Sequence, residues 1–448
     1  MSPEHPGGSD AGGGSAGDGA AGSNAAASND TGSDGAESDG AGSNDAGSND
    51  AAGRAGAGLV IALGALSAFG PLCLDMYLPA LPELADSLGS TATLAQVSLS
   101  ACIVGLAVGQ LVVGPWSDRV GRRGPLLAGL LLFVLTSVGC ALTTSMPLLI
   151  GLRLLQGAAG AAGIVIGRAV VADRFSGTAA ASYYATMAAI NGLAPILAPV
   201  IGAQVLRFGS WRIVFWVLAG IGVLLVLAAL RSVPESLPPD RRSSGGLAGT
   251  LRGFRVLLAD RVYLGWVLAG TMVSAAMFGY ISASPFLLQD GFGLSEQWFS
   301  LCFALNALGI VLLSQVGRVL VVRFGSVRLL SWASVQGLVG AALLGVTVLT
   351  GPVLWAVIVS LFVMVSSVGL ALPHSTALAM ELHRETAGAA SALIGTLQFL
   401  LGAVTAPLVG IGDRTTGGAL AVTALVATVL GVLALALTRR AVGRVRPV

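Results

Sequence analysis

Charge is scarce in this sequence, and one basic residue type is missing altogether. Charged residues make up 10% of the 448 residues and hydrophobic residues 54%, and all 24 basic residues are arginine. A typical soluble domain carries about 25% charged residues. The composition therefore excludes an ordinary soluble protein and indicates a chain that lies in a bilayer.

Residues that commonly build catalytic or metal sites are also few. The chain has three histidines and four cysteines, and the cysteines stand apart in apolar stretches without a Cys-x-x-Cys pair. No HExxH or GxxxxGK[ST] motif occurs, and the one GxSxG match, GGSAG at residues 13–17, lies in a Gly- and Ser-rich segment without strand or helix patterns around it. This argues against a zinc site, a serine hydrolase and ATP-driven transport. The sequence predicts no metal, no cofactor, no enzymatic activity and no nucleic-acid partner.

The N-terminal segment lacks large apolar side chains. Its first 50 residues are mostly Gly, Ala, Ser, Asn and Asp, with nine carboxylates and no arginine or lysine. Such a segment cannot bury enough surface to offset its ordering entropy, and a cleaved signal peptide would begin with basic residues. We expect residues 1–54 to form a disordered, acidic, solvating tail that stays on the protein; a partner-binding role for it is the alternative.

The rest of the chain consists largely of long apolar runs. Runs of about 20 residues, the length that crosses roughly 30 Å of hydrocarbon, begin near residues 57, 94, 125, 147, 181, 212, 262, 298, 327, 353, 387 and 417. The sequence therefore predicts an all-α membrane protein with twelve transmembrane helices, expected to be monomeric in the bilayer.

Arginines are distributed unevenly between the predicted loops. Eighteen lie in the segments that face the same side as the two termini, and the opposite loops hold only Arg207, Arg212 and Arg414. Basic residues next to membrane spans stay on the cytoplasmic side. Both termini are therefore predicted to be cytoplasmic.

The longest inward connection divides the spans into two sets of six. It contains "PESLPPDRRSSGG", which is typical of a linker. The predicted organisation is a six-helix bundle at 55–230, a cytoplasmic linker at 231–261, a second six-helix bundle at 262–440 and a basic tail at 441–448.

The two halves share a degraded repeat. "GPWSDRVGRRGPLL" follows the second span, and "GRVLVVRFGSVRLL" follows the eighth. Alignment of the two places Gly121 on Gly325 and Arg119 on Arg323, whereas Asp118 falls on a valine. Two related bundles around a midplane site are the layout of alternating-access transporters.

The pattern G-x-x-x-D-R-x-G-R-R in the first of these loops closely resembles the signature loop of the major facilitator superfamily. Together with "LDMYLPALP", "RLLQGAAGAAGIVIGRAVVADRF", "GLAPILAPVIGA" and "AGAASALIGTLQFLLGA", it resembles the Bcr/CflA group of drug-proton antiporters. The resemblance implies the major facilitator fold and export of small hydrophobic drugs in exchange for protons across a bacterial cytoplasmic membrane. An exporter or proton symporter of an endogenous metabolite is the alternative on the same fold.

The resemblance also implies a conformational latch, a set of contacts that holds the outward-facing state and breaks during transport. Relatives commonly carry Arg-Asp at the inner end of span four, whereas this chain has Ala-Asp-Arg there. The predicted latch residues are Gly114, Asp118, Arg119, Gly121, Arg122 and Asp173.

Asp75 is a single carboxylate in the apolar run "LCLDMYLPALP". A charge near the middle of a span costs about 2.5–3.5 kcal/mol, so such a residue usually faces a cavity or a partner. By resemblance, Asp75 couples proton and substrate, and Arg153 in span four is linked to proton transfer. The alternatives are a structural carboxylate near the outer interface and an arginine that snorkels to the membrane surface.

Further polar and helix-bending residues complete the prediction. By resemblance to the antiporter motif, the hinge residues of span five are Gly192, Pro195, Pro199 and Gly202, for which plain helix packing is the alternative. His374 and Glu381 share a helical face that could relay protons or simply end span ten. The candidate substrate contacts are Tyr77, Gln289, Asn306 and Gln398, with hydrogen bonds between helices as the alternative.

Overall fold

The computed structural model describes residues 59, 62–175, 177–242, 254–383, 387–411 and 415–445, and in this part of the chain all regular structure is helical. The predicted tail at 1–54 and the last residues of the basic tail lie outside the described residues. The helices are α1 (Ala62–Ser87), α2 (Ala92–Val120), α3 (Arg123–Leu142), α4 (Met146–Arg174), α5 (Gly177–Leu206), α6 (Arg212–Ser232), α7 (Arg261–Pro285), α8 (296–324), α9 (326–350), α10 (Leu354–Leu382), α11 (Ala387–Leu408) and α12 (Gly418–Val445).

The helices are long enough to cross a bilayer. Ten described helices meet that requirement by length and composition, and the longest of them, Glu296–Thr350, has 55 residues. One crossing needs only about 20 residues, and this helix bends at Gly325 into α8 and α9. Together with α5, the arrangement is consistent with twelve crossings, and the predicted all-α membrane fold is confirmed.

Two glycine turns show the relation between the halves in three dimensions. Gly121, between α2 and α3, has φ 102° and ψ 166°, and Gly325, between α8 and α9, has φ 74° and ψ 158°. Positive φ is costly for residues with a Cβ. The two positions aligned in the sequence repeat therefore adopt the same glycine-specific turn.

Close helix packing builds the first half. A Cβ added to Gly157 of α4 would overlap with the Cys102 carbonyl oxygen of α2, and one added to Gly105 of α2 would overlap with the Leu154 carbonyl oxygen of α4. Small residues let transmembrane backbones approach. The two helices are therefore in direct backbone contact.

Helix α1 is interrupted where the candidate carboxylate lies. Its first arm ends with the bond from the Met76 N–H to the Leu72 carbonyl oxygen, 3.2 Å, and a 3-10 turn at Leu78–Ala80 leads into the second arm, Leu81–Ser87. Pro79 has no N–H to donate to the Asp75 carbonyl oxygen, so the helical hydrogen bond at this point is missing. Asp75 therefore lies directly before a break in the helix.

We call the two ends of the bundle the arginine-rich and the arginine-poor end. The arginine-rich end carries the α2–α3 turn, the segment between α6 and α7, and the C-terminal end of α12, with Arg119, Arg231 and Arg440 among its residues. The arginine-poor end carries the α5–α6 turn with Arg207.

Candidate functional site

A cavity of about 1000 Å³ lies between the two halves. Residues of α1, α2, α4 and α5 line it on one side, and residues of α7, α8, α10 and α11 on the other. Most of the lining is apolar, and polar side chains are spread sparsely over it. Prominent among them are Asp75, Gln110, Arg168, Tyr280, Asn306 and Gln398.

Side-chain hydrogen bonds between the halves close the arginine-poor end. Thr93 donates to the Gly410 carbonyl oxygen at 2.7 Å, and Ser300 donates to the Pro199 carbonyl oxygen at 3.0 Å. Three glutamines make bonds of the same kind: Gln96 to Ser282, Gln289 to Pro79 and Gln297 to Ala203.

At the opposite end, Asp118 of α2, Arg168 of α4 and Tyr184 of α5 line the cavity. These residues lie in the parts of their helices nearest the α2–α3 turn and the α4–α5 turn. The cavity therefore extends toward the arginine-rich end, and Asp75 lies near its closed end.

Asp75 faces this cavity rather than lipid. Its side chain is among the lining residues, although only 6% of the residue is exposed. Among the described residues it makes no hydrogen bond and no ion pair. The Tyr280 hydroxyl lies within electrostatic range of it and accepts a hydrogen bond from the Asn306 amide at 2.9 Å. A carboxyl group without a fixed partner, next to a polar pair, is free to bind a proton or a ligand.

Arg153 is fully buried but does not contact Asp75. Its guanidinium donates to the Cys73 carbonyl oxygen at 3.1 Å and to the Gln156 side-chain oxygen at 2.5 Å. It also lies 4.2 Å from the centre of the Tyr77 ring, a cation–π contact. Arg153 therefore fixes the backbone two residues before Asp75, at the end of the first arm of α1, and does not snorkel to the surface.

The predicted substrate contacts divide into two pairs. Asn306 and Gln398 line the cavity. Tyr77 does not, because it is fully buried beneath Arg153 with its hydroxyl 3.4 Å from that of Ser98. Gln289 is not brought to the cavity either, because its amide bonds the Pro79 carbonyl oxygen at the closed end.

Arg122 is the centre of the predicted latch. Its guanidinium donates to Asp118 at 2.5 Å, to Asp173 at 2.9 Å and to the Ser117 hydroxyl at 2.9 Å. We call these four residues the Arg122 network. Asp173 therefore reaches Arg122 despite the unusual Ala-Asp-Arg order. Arg119 and Arg174 are exposed, and Arg119 makes no hydrogen bond or ion pair within the described residues.

Sequence reasoning missed one member of this region, Glu235. Its carboxylate accepts the backbone N–H groups of Arg122 at 2.7 Å and Arg123 at 3.1 Å, and a Cβ on Gly121 would lie 2.6 Å from it. Partial burial opposes ionisation, but these bonds and one from the Leu237 N–H hold the pKa of Glu235 below its ordinary value. The sequence signal that could have identified Glu235 is the single carboxylate in "PESLPP", but the composition of this segment indicated only a linker.

Replacing Glu235 with glutamine is expected to lower the apparent thermal midpoint at pH 7 by a few degrees. Because the pKa of Glu235 is lower in the folded state, its ionised form stabilises the fold above the unfolded pKa of about 4.3 and ceases to do so as the pH falls through the folded pKa. The midpoints of the wild type and E235Q should therefore differ at pH 7, and the difference should become smaller at pH 3, below the unfolded pKa.

The matched control is D240N, which changes an exposed carboxylate of the same linker. It should leave the midpoint unchanged at both pH values. A difference between E235Q and the wild type that is equally large at pH 7 and pH 3 would contradict the role assigned to the Glu235 charge.

The predicted hinge residues of α5 lie in different environments. A Cβ on Gly202 would overlap with the Met76 carbonyl oxygen, so α5 touches α1 at its break. Pro195 lines the cavity, and the Pro199 carbonyl oxygen accepts from Ser300 at the closed end. Gly192, by contrast, has ordinary space around it. Gly114 of the latch likewise faces the cavity with room for a Cβ.

His374 and Glu381 occupy different environments. His374 is 6% exposed and packs against Gly317 of α8, whereas Glu381 is exposed near the end of α10. Neither is among the residues that line the central cavity. His383, two residues after Glu381, lies 2.9 Å from Asp260, which caps α7, and this pair ties α10 to α7 at the arginine-rich end.

A helical membrane protein with two related halves and a central cavity that is closed at one end belongs to the class of alternating-access membrane transporters. A family model described as the Major Facilitator Superfamily matches residues 61–407. The chain belongs to this superfamily, as the sequence resemblance predicted, and its members are transporters rather than enzymes.

Curated relatives and solved structures agree with this assignment. The chain is 38% identical over 390 residues to the "Uncharacterized MFS-type transporter YdgK" of Bacillus subtilis, covering 86% of this chain and 96% of that protein. It is 28% identical over 375 residues to the "Bicyclomycin resistance protein homolog" of Haemophilus influenzae, covering 84% and 94%. The fold matches a bacterial homolog of the human lysosomal transporter Spinster, in an inward-facing and unoccupied conformation, with TM-score 0.68, 16% identity and coverage of 85% and 96%.

Proposed function

We propose that this transporter exports small, largely apolar drug-like compounds from a bacterial cell in exchange for protons. The observation that carries the proposal is the unpaired Asp75 carboxyl in the wall of a mostly apolar cavity. The relative named for bicyclomycin resistance supports a drug as cargo. No cofactor is needed, because the proton gradient supplies the energy, and a single chain contains the whole cavity, which supports action as a monomer.

The arginine-rich end is proposed to face the cytoplasm. This orientation follows the rule for basic residues, places both termini and the linker inside, and makes the described conformation inward-facing. The inward-facing homolog of the Spinster transporter is consistent with it. The halves at 55–230 and 262–440 are proposed to act as the two units that move relative to each other.

The transport cycle follows from mutually exclusive binding of a proton to Asp75 and of a drug to the cavity. In the outward-facing state, the carboxylate takes a proton as the drug leaves, and the neutral carboxyl favours the return to the inward-facing state. At the cytoplasmic side the proton leaves and drug binds near the Tyr280–Asn306 pair and Gln398. Arg153 holds the backbone of α1 so that Asp75 faces the cavity in both states.

The Arg122 network is proposed to be rearranged during this cycle. Its members bond to one another within the first half and to Glu235 and Ser236 of the linker, so the network leaves the arginine-rich end open in this conformation. Closure of that end would bring α11 toward α2, where Asp118 is available to exchange its partner. In this way the latch residues would hold the outward-facing state and release it again.

The direction of flux under an imposed pH gradient tests the proposed function. Purified protein is reconstituted in liposomes with a known orientation, and a panel of hydrophobic antibiotics is added in the presence of an inward or outward proton gradient. Antiport predicts that drug moves in the direction opposite to the flow of protons down their gradient, and that a protonophore abolishes the drug movement. Co-directional movement of drug and protons would instead indicate a symporter, and no movement of any drug would favour an endogenous metabolite.

A further inference from the structure

A second concave site lies outside the transport cavity, on the flank of the second half. It is a groove of about 510 Å³ between α7 and α12. Leucines dominate its lining, and those of α12 are half-exposed, with Leu433 at 51% and Leu437 at 63%. Thr438 also lines the groove, but its hydroxyl already donates to the Ala434 carbonyl oxygen at 2.7 Å. The groove therefore presents an apolar surface to the bilayer.

The groove has the depth of one membrane leaflet. Along α7 it extends from Arg261 to Met272, which is about 16 Å at 1.5 Å per residue. Half of a hydrocarbon core is about 15 Å thick. The groove begins at the arginine-rich end of the bundle, so its length matches a single lipid acyl chain that enters from that surface.

Arg261 places a positive charge at the end of the groove nearest the arginine-rich end of the bundle, which we call its mouth. Arg261 is the charged residue of the lining, is exposed, and has no hydrogen bond or ion pair within the described part of the chain. The adjacent Asp260 does not neutralise it by contact, because its carboxylate accepts the N–H groups of Val262 and Tyr263 and lies 2.9 Å from the His383 ring nitrogen.

A second arginine lies at the same edge. Arg440 follows Leu437 by three residues and precedes Ala441, the last residue of α12 in the lining, which places it beside the groove although it is not itself a lining residue. It is exposed, and no described residue bonds to it. Guanidinium groups bind phosphate oxygens in a bidentate manner, and basic pockets between transmembrane helices bind anionic lipid head groups.

We propose that the α7–α12 groove is a binding site for an anionic phospholipid of the adjacent leaflet. The phosphate binds Arg261 and Arg440, and one acyl chain lies along the leucines of α7 and α12. The match rests on charge at the mouth, an apolar wall and the depth of one leaflet. This site is separate from the transport cavity and does not depend on which compound is transported.

Native mass spectrometry of the full chain tests the site. The protein is purified in detergent with equimolar phosphatidylglycerol and phosphatidylcholine that carry identical acyl chains, and the ratio of the two bound lipids is measured. The wild type should retain phosphatidylglycerol preferentially. R261Q should reduce that preference by about fivefold, the effect expected for one basic residue near an anionic lipid.

R439Q is the matched control. Arg439 adjoins Arg440 on the same helix at the same depth, but its guanidinium donates to the Ser331 hydroxyl of α9 at 3.3 Å. R439Q should therefore keep the lipid preference. If R439Q and R261Q reduce it equally, the effect is that of surface charge in general and the proposed site is wrong.

Two further experiments test the contribution of the apolar groove independently of the arginines at its end. A434F fills the groove with a ring and leaves both arginines in place, so it should reduce the number of retained phospholipids. Glycerol phosphate, a soluble head-group analogue without acyl chains, should not displace bound phosphatidylglycerol. Unchanged retention in A434F, or full displacement by glycerol phosphate, would show that no acyl chain occupies the groove and would overturn the proposal.

Discussion

Asp75→Asn is expected to abolish proton-driven drug exchange, reducing it to the rate of protein-free liposomes. Asparagine keeps the size and polarity of the side chain, with an NH2 donor in place of one carboxyl oxygen, but cannot gain or lose a proton at physiological pH. Because the carboxyl lines the cavity and has no partner among the described residues, the change should leave the fold and drug binding largely intact. Drug uptake driven by a pH gradient in proteoliposomes measures the effect.

The matched control is D86N. Asp86 lies on the second arm of the same helix but is exposed at the arginine-poor end, so this variant should transport like the wild type. Size-exclusion profiles of both variants establish that they fold. Full proton-driven exchange by D75N would show that another group carries the proton.

A disulfide between positions 93 and 410 is expected to stop transport completely. Thr93 of α2 bonds to the Gly410 carbonyl oxygen across the closed end, and a Cβ on Gly410 would lie 3.0 Å from the Thr93 Cα atom and would overlap with Gln96 Oε1. The end of the Gln96 side chain must therefore move aside, and the close approach of the two backbones then allows the double variant T93C/G410C to form a disulfide. The cross-link would hold the arginine-poor end closed, whereas alternating access requires that end to open in every cycle.

Transport by T93C/G410C should fail after oxidation and recover after reduction. The single variants T93C and G410C should be insensitive to both treatments, because three of the four native cysteines are buried and the fourth is partly buried. Undiminished transport by protein that is fully cross-linked would contradict alternating access at this end of the molecule.

The helices were predictable because apolar run length and glycine chemistry act locally. The predicted starts near 212 and 387 coincide with the first residues of α6 and α11. The alignment of Gly121 with Gly325 anticipated two turns of the same conformation, since positive φ is a property of the single residue.

The site was predictable only in part, because side-chain partners depend on the tertiary arrangement. A buried charge in an apolar run pointed to Asp75, and the cavity includes it. The same reasoning did not show that Tyr77, two residues later, packs beneath Arg153. The regular helix ends at Asp75, so helical spacing does not predict the direction of the Tyr77 side chain. The carboxylate of Glu235 contacts the loop at Arg122, 113 residues away in sequence. A local sequence pattern cannot predict a contact over this separation.

The most direct test of proton exchange at Asp75 is the release of protons on drug binding. A substrate found in the liposome experiment is added to purified protein in weakly buffered detergent solution, and a pH indicator records the change. The wild type should release protons in proportion to the drug bound, and D75N should bind drug without releasing any. Equal proton release by D75N and the wild type would contradict the assignment of Asp75 as the residue at which drug and proton compete.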